Sequence, residues 1–102
     1  MQEYILGREQ DFHKLPAEIE IGRLSYLLLS DQGTYRLVSR SCTHAGQMVE
    51  VEKDELVCPM HGWSFDLHTG ACLNVPSKGL ISYTVYEKNG ELITQLQPFS
   101  SR

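Results

Sequence analysis

The sequence predicts a small all-β domain, an antiparallel barrel or sandwich, and three observations support this fold class. Apolar and polar residues alternate over several short stretches, which is typical of half-buried strands. Turn-forming pairs separate these stretches, and the clearest of them, Asn89-Gly90, is the strongest local signal of a β-hairpin. No stretch shows the spacing of a long amphipathic helix. The 102 residues are interpreted as one domain, residues 1–102, with a modest core.

The N-terminal half is predicted to hold four short strands. Their expected ranges are residues 3–6, 17–21, 24–30 and 34–39. A polar turn or a single helical turn is expected at residues 9–11, and Gly22 marks the turn between the second and third strands. Residues 31–33 close a hairpin between the third and fourth strands. The fourth strand leads directly to Cys42.

The C-terminal half continues the β pattern. Strands are expected over residues 49–52, 55–57, 81–86 and 91–96. Within the first of these, Val49 and Val51 alternate with two glutamates, as in a half-buried strand. A turn is expected at residues 67–70, and Pro76 argues against a central strand in its segment.

Two short stretches each combine a cysteine with a histidine. They are Cys42-Thr43-His44 and Cys58-Pro59-Met60-His61, each closely followed by a glycine. Thiolate and imidazole ligands in two matched pairs indicate a metal centre between two loops. Zinc fingers place two cysteines in one pair and two histidines in the other, whereas both pairs here are mixed. A binuclear iron–sulfur centre, with each loop giving one ligand to each iron, fits the mixed pairs, and zinc remains an alternative.

The segments Cys42-Thr43-His44-Ala45-Gly46 and Cys58-Pro59-Met60-His61-Gly62-Trp63 resemble the paired boxes of Rieske [2Fe–2S] proteins. The resemblance implies a Rieske-like barrel with cluster-binding loops at about 41–48 and 58–65, and one [2Fe–2S] cluster per chain. It assigns Cys42 and Cys58 to one iron, and His44 and His61 to the other.

The chain departs from the Rieske subunits of respiratory complexes at three positions. Gln47 and Met60 stand where that branch has two cysteines joined in a disulfide, and Trp63 replaces a serine that donates a hydrogen bond to the cluster. Fewer donors leave the reduced cluster less stabilised. We therefore expect a low potential for a Rieske centre, nearer roughly −150 mV than +300 mV.

The resemblance is to the ferredoxins and oxygenase domains of bacterial ring-hydroxylating systems. It implies a one-electron carrier between a flavin-dependent reductase and a terminal oxygenase, a monomer that is not itself an enzyme. Met48 and Met60 are expected in the docking patch, because methionine is an adaptable contact residue. The alternatives are a small subunit of an assimilatory nitrite reductase, a structural zinc-binding module, and a carrier for a non-aromatic hydroxylase.

The composition of the chain argues against nucleic-acid-binding, membrane and exported proteins. A net charge of −4 without a basic stripe argues against nucleic acid as a partner. The sequence offers no membrane span and no signal peptide, so a cytoplasmic location is expected.

We expect Cys72 to be a small buried apolar residue, and His13 and His68 to face solvent. Trp63 and Phe65 are expected to pack around the cluster and shield it from water.

Overall fold

Nine strands and one short 3-10 helix form the part of the chain that the computed structural model describes, which is residues 2–41, 48–53, 55–59, 62–75 and 79–96. The strands are β1 (Gln2–Arg8), β2 (Ala17–Ile21), β3 (Leu24–Asp31), β4 (Thr34–Ser39), β5 (Glu50–Val51), β6 (Glu55–Val57), β7 (Ser64–Asp66), β8 (Ser82–Lys88) and β9 (Glu91–Leu96). The 3-10 helix is Glu9–Asp11, where the sequence predicted a turn.

The strands form two antiparallel sheets. The large sheet has six strands in the order β1-β9-β8-β4-β3-β2, and it curls into a nearly closed barrel. The small sheet has three strands in the order β5-β6-β7. The predicted all-β class is therefore confirmed, and the architecture is that of a small barrel with an added sheet.

Hairpin turns set the register of the large sheet. Asn89 and Gly90 both have positive φ, 56° and 82°, which is the conformation of the tight turn predicted between β8 and β9. Gln32 and Gly33 adopt a similar pair, 53° and 85°, between β3 and β4. Both predicted hairpins are confirmed.

Strand β8 changes partner along its length, which bends the large sheet. Its first half pairs with β4, from Ser82 opposite Val38 to Thr84 opposite Arg36, and its second half pairs with β9. At the change of partner, the buried hydroxyl of Thr94 donates a hydrogen bond of 2.8 Å to the carbonyl oxygen of Thr84. This side chain adds a hydrogen bond between β8 and β9 where β8 changes partner.

Two apolar cores lie on opposite faces of β3 and β4. The barrel core consists of Ile19, Ile21, Tyr26, Leu28, Leu37, Val85, Leu92 and Leu96. The loop core lies under the small sheet and consists of Leu27, Leu29, Val38, Val49, Leu56, Cys58, Phe65, Cys72 and Leu80. Successive residues of β3 enter alternate cores, which explains why this strand reads as a continuous apolar run.

Two expectations about strand extent are wrong. Strand β1 runs over Gln2–Arg8, beyond the predicted 3–6, because its pairing with β9 extends it through an irregularity between Ile5 and Gly7. Strand β5 has only two residues, and Val51 is 42% exposed although the alternation predicted a half-buried strand. Pairing partners decide both strand ends, and local alternation does not contain that information.

Within the residues that the structure describes, no helix has the length and apolarity needed to cross a membrane.

Candidate metal centre

The second predicted ligand loop begins where β6 enters the loop core. β6 ends at Val57, and the next residue, Cys58, is fully buried. Its neighbours in the loop core include Val49, Leu56 and Phe65. Cys58 is not in a disulfide with another described cysteine, and it lies at the junction between an apolar core and a loop.

Two backbone hydrogen bonds close the second loop at its base. The amide of Gly62 donates to the carbonyl of Cys58, and the amide of Cys58 donates to the carbonyl of Trp63, both at 2.8 Å. Gly62 has a φ of +71°, a conformation that favours glycine. Pro59 and Gly62 are exposed, so the chain leaves the core at Cys58 and returns to it at Trp63.

The first predicted ligand loop is also closed at its base. Ser41 and Met48 form an isolated antiparallel bridge, and the amide of Val49 donates to the carbonyl of Arg40 at 2.8 Å. The Nε of Arg40 donates in turn to the carbonyl of Val49 at 2.9 Å. Residues 40–41 and 48–49 are therefore fastened together on either side of residues 42–47.

The bases of the two loops are neighbours. Glu50 pairs with Val57 in the ladder between β5 and β6, and the same register continued by one residue sets Val49 opposite Cys58. Both residues are fully buried in the loop core. The structure thus brings together the bases of the two segments that the sequence predicted to hold one metal centre.

Of the four predicted ligands, Cys58 is the one within the described residues. Cys42, His44 and His61 lie outside them, as do Gln47 and Met60. The ligand set is therefore still a prediction, supported by the placement of Cys58 and of both loop bases.

A third segment, residues 72–75, packs beside the second loop. Cys72 is 4% exposed and bridges Phe65, which confirms that it is buried. Its Sγ accepts a hydrogen bond of 3.3 Å from the amide of Val75. The amide of Ser64 donates to Oδ1 of Asn74 at 2.7 Å, so the segment is tied to the start of β7. Pro76 lies outside the described residues.

The predicted turn at residues 67–70 is organised by Asp66. Its carboxylate accepts hydrogen bonds from the amides of His68 (2.7 Å) and Thr69 (2.9 Å). The amide of His68 is the main reason that the pKa of Asp66 is lowered from its ordinary value. His68 is exposed, as is His13, and both predictions are confirmed. The Nδ1 of His68 lies 2.8 Å from the carbonyl oxygen of Ser30, which links the turn to β3.

These residues fit an iron–sulfur cluster. Iron–sulfur clusters are held by cysteine thiolates, and Cys58 lies where an apolar core meets a loop. Phe65 is fully buried and Trp63 packs partly buried against the same core, as predicted. Their rings exclude water from the region beneath the two loops.

Comparison with known proteins points in the same direction. A family model described as the Rieske [2Fe-2S] domain matches residues 2–91. The cholesterol 7-desaturase of Caenorhabditis elegans is 33% identical over 61 residues, which are 55% of this chain and 14% of the desaturase.

Solved structures share the fold at low sequence identity. The plasma membrane Rieske protein of Synechocystis PCC 6803 matches with a TM-score of 0.71 and 23% identity, covering 91% of this chain and 99% of that protein. The terminal oxygenase of carbazole 1,9a-dioxygenase from Novosphingobium sp. KA1 matches with a TM-score of 0.67 and 20% identity, over 96% of this chain and 31% of the oxygenase. A chain in an oxygenase and ferredoxin complex of carbazole 1,9a-dioxygenase matches with a TM-score of 0.70 and 17% identity, over 90% of this chain and 28% of that one.

The present chain therefore spans less than a third of the desaturase and of these oxygenase-type structures, and nearly all of the cyanobacterial protein.

Proposed function

The chain belongs to the Rieske [2Fe-2S] domain family, and from this premise we propose that it is a ferredoxin, a one-electron carrier that serves a terminal oxygenase. The observation that supports this most directly is the change of exposure along the second loop. Cys58 is fully buried, and Pro59 and Gly62 beyond it are exposed. A centre held from below by Cys58 would have its opposite side at the surface, where a partner can approach.

The proposed ligands are Cys42 and Cys58, which would hold one iron, and His44 and His61, which would hold the other. When bound, the cluster supplies one reversible electron transfer per turnover. The protein orients the cluster through the hydrogen-bonded bases of the two loops. It also excludes water from the inner side, because Val49, Leu56 and Phe65 are fully buried there.

The proposed reaction partners are a flavin-dependent reductase as donor and an oxygenase or hydroxylase as acceptor, with this chain acting as a monomer in the cytoplasm. Two structural neighbours support an oxygenase as the acceptor, because one is a terminal oxygenase and the other is a chain in an oxygenase and ferredoxin complex. Hydroxylation would take place on the partner, and this chain would contribute electrons.

Metal analysis and EPR of the purified protein test the proposal. We expect equal amounts of iron and acid-labile sulfide, two of each per chain, and an EPR signal of a [2Fe–2S] centre after reduction with dithionite. A redox titration should give a potential at the low end of the Rieske range, roughly −150 mV. A colourless protein that contains zinc instead would contradict the proposal and support the zinc-binding alternative.

Docking to the oxygenase is expected at the exposed loops. Met48 is 48% exposed at the base of the first loop, where it forms the bridge with Ser41. Met48→Glu should therefore slow electron transfer to the oxygenase about tenfold at limiting partner concentration, equivalent to about 1.4 kcal/mol of docking energy. Stopped-flow mixing of the reduced carrier with the oxygenase measures this rate.

Ile5→Glu is the matched control for this measurement. Ile5 is 62% exposed on β1, which pairs with β9 in the large sheet and not with the small sheet. The control should transfer electrons at the wild-type rate. Equal rates for both variants and the wild type would contradict docking at the loops.

A second candidate function is the electron-accepting Rieske domain of an oxygenase-type protein. The observation that favours it is that the match with this chain covers only 14% of the desaturase and 31% of the oxygenase. The two functions differ in whether a separate oxygenase accepts electrons from this chain. Reduction by the reductase, followed by reoxidation on mixing with the separate oxygenase, would support the carrier; reduction without reoxidation would support the second candidate.

A further inference from the structure

Arg40 is a mostly buried cation at the base of the first ligand loop. Its side chain is 14% exposed, and its Nε donates to the carbonyl of Val49 at 2.9 Å. Its backbone pairs on both sides, since its amide donates to Ser25 and its carbonyl accepts from Val49. The guanidinium group is therefore fixed in place beside the loop that carries two of the proposed ligands.

The charge of Arg40 is only weakly neutralised by its ion-pair partner. The Nη1 of Arg40 lies 3.3 Å from Oε2 of Glu18, but the side chain of Glu18 is 72% exposed. Water screens an exposed carboxylate, so Glu18 offsets part of the charge of Arg40 and leaves the larger part uncompensated.

Arg40 adjoins both cysteine-bearing segments. Covalent geometry keeps the Cα atoms of Arg40 and Cys42 within about 7 Å of each other in any conformation. Val49, whose carbonyl Arg40 binds, is set opposite Cys58 by the register of β5 and β6. Arg40 thus lies two residues before one proposed cysteine ligand and contacts the segment that is set opposite the other.

Reduction of the cluster adds one negative charge, which a fixed cation nearby stabilises. We propose that Arg40 is a positioning residue with two separable roles, fastening the first ligand loop through Val49 and raising the reduction potential through its charge, while Glu18 opposes the second role. This inference rests on the proposed electron-carrier function.

Redox titration of three holoprotein variants tests the charge. Arg40→Met should shift the potential to a more negative value, because the cation is lost. Arg40→Lys keeps the charge and should stay near the wild-type potential. Glu18→Gln should shift the potential to a more positive value, and this exposed position gives a measurement even where Arg40→Met does not fold.

The rate of cluster loss in the presence of an iron chelator tests the fastening role. Both Arg40 variants lack the hydrogen bond from Nε to Val49, so both should lose visible absorption severalfold faster than the wild type. Glu18→Gln should lose it at the wild-type rate. A merely structural role for Arg40 would change the rate without the opposite potential shifts of Arg40→Met and Glu18→Gln.

Arg36→Met is the matched control, because it removes the same charge from β4, the strand that ends just before Arg40. Arg36 lies in β4 four residues before Arg40, about 13 Å further along an extended chain. Its potential should match the wild type. Equal potentials in all variants that hold the cluster would overturn the role of Arg40, whereas a wild-type protein without iron would overturn the proposed function itself.

Discussion

The strands of the six-stranded sheet have five to eight residues, whereas those of the three-stranded sheet have two or three. The large sheet curls around the barrel core, which its own strands supply. The small sheet covers the loop core, to which the large sheet contributes Leu27, Leu29 and Val38. The long strands form the stable scaffold, and the short strands adjoin the loops that hold the proposed ligands.

The difference shows how a small domain can hold a metal centre at its surface. A three-stranded sheet with such short strands has few ladder hydrogen bonds and does not persist without packing against something else. Here one face of β3 and β4 provides that support from below. The proposed cluster would provide it from above, by joining the two loops whose bases meet at Val49 and Cys58.

Replacing Cys58 should have the largest effect, because it should destabilise the small sheet and leave the large sheet folded. Cys58→Ser removes a proposed ligand, so all visible absorption of the cluster should be lost and the thermal midpoint should fall markedly. In hydrogen exchange, amides of β6 and β7 should lose protection while those of β3 and β4 keep it. An iron-replete variant of wild-type stability would contradict the ligand assignment.

Cys72→Ser is the matched control, since Cys72 is the other buried cysteine of the loop core. It should retain the absorption spectrum and lose only a modest amount of stability. Unfolding of the whole chain in Cys58→Ser, with β3 and β4 unprotected, would show that the two regions form one cooperative unit.

A substitution in the barrel core should lower the stability of the protein without changing the proposed cluster. Leu37 is fully buried there, and Leu37→Ala should lower the free energy of unfolding by about 2–5 kcal/mol because it leaves a cavity. Denaturant unfolding followed by far-UV circular dichroism measures this. The absorption spectrum of the folded variant should not change.

Leu24→Ala serves as the control for this effect. Leu24 is 50% exposed on β3, so its truncation should change the free energy of unfolding by no more than about 0.5 kcal/mol. Similar losses in both variants would contradict the assignment of the barrel core as the main source of stability.

The smallest expected effect on stability is at the turn of residues 67–70, which links the small sheet to β3, and this effect depends on pH. The pKa of Asp66 is lowered from 3.8 by the amides of His68 and Thr69. The ionised carboxylate therefore stabilises the folded state fully above that value, and this contribution is lost as pH falls through the folded pKa. Asp66→Asn should cost about 1 kcal/mol or less near pH 7. Urea unfolding should show the gap to the wild type narrowing below about pH 4; a gap that widens there would contradict this role.

Local patterns in the sequence were sufficient to predict most strands and turns of the large sheet. The alternation in Ala17–Ile21 and the pair Asn89-Gly90 predicted strands and a turn that the structure contains. The two ligand stretches predicted neighbouring loops, and the pairing of Glu50 with Val57 brings their bases together. These features depend on residues close in sequence, which a pattern can express.

Features that depend on distant residues were not predictable in the same way. The exposure of Val51 follows from the end of β5, and the length of β1 follows from its pairing with β9. Arg40 carried no signal at all, because its role depends on Glu18 and Val49, which approach it only in the folded chain.

Strand β8 has a consequence for attaching this protein to a solid support. It begins at Ser82, paired with β4 near the first ligand loop, and ends about 20 Å away at the exposed Lys88. A linker on Lys88 would leave the base of the first loop on the side away from the support, accessible to a diffusing redox partner. A linker at Ser82 would instead bring that base close to an electrode, so one strand offers two opposite orientations for bioelectrochemical devices.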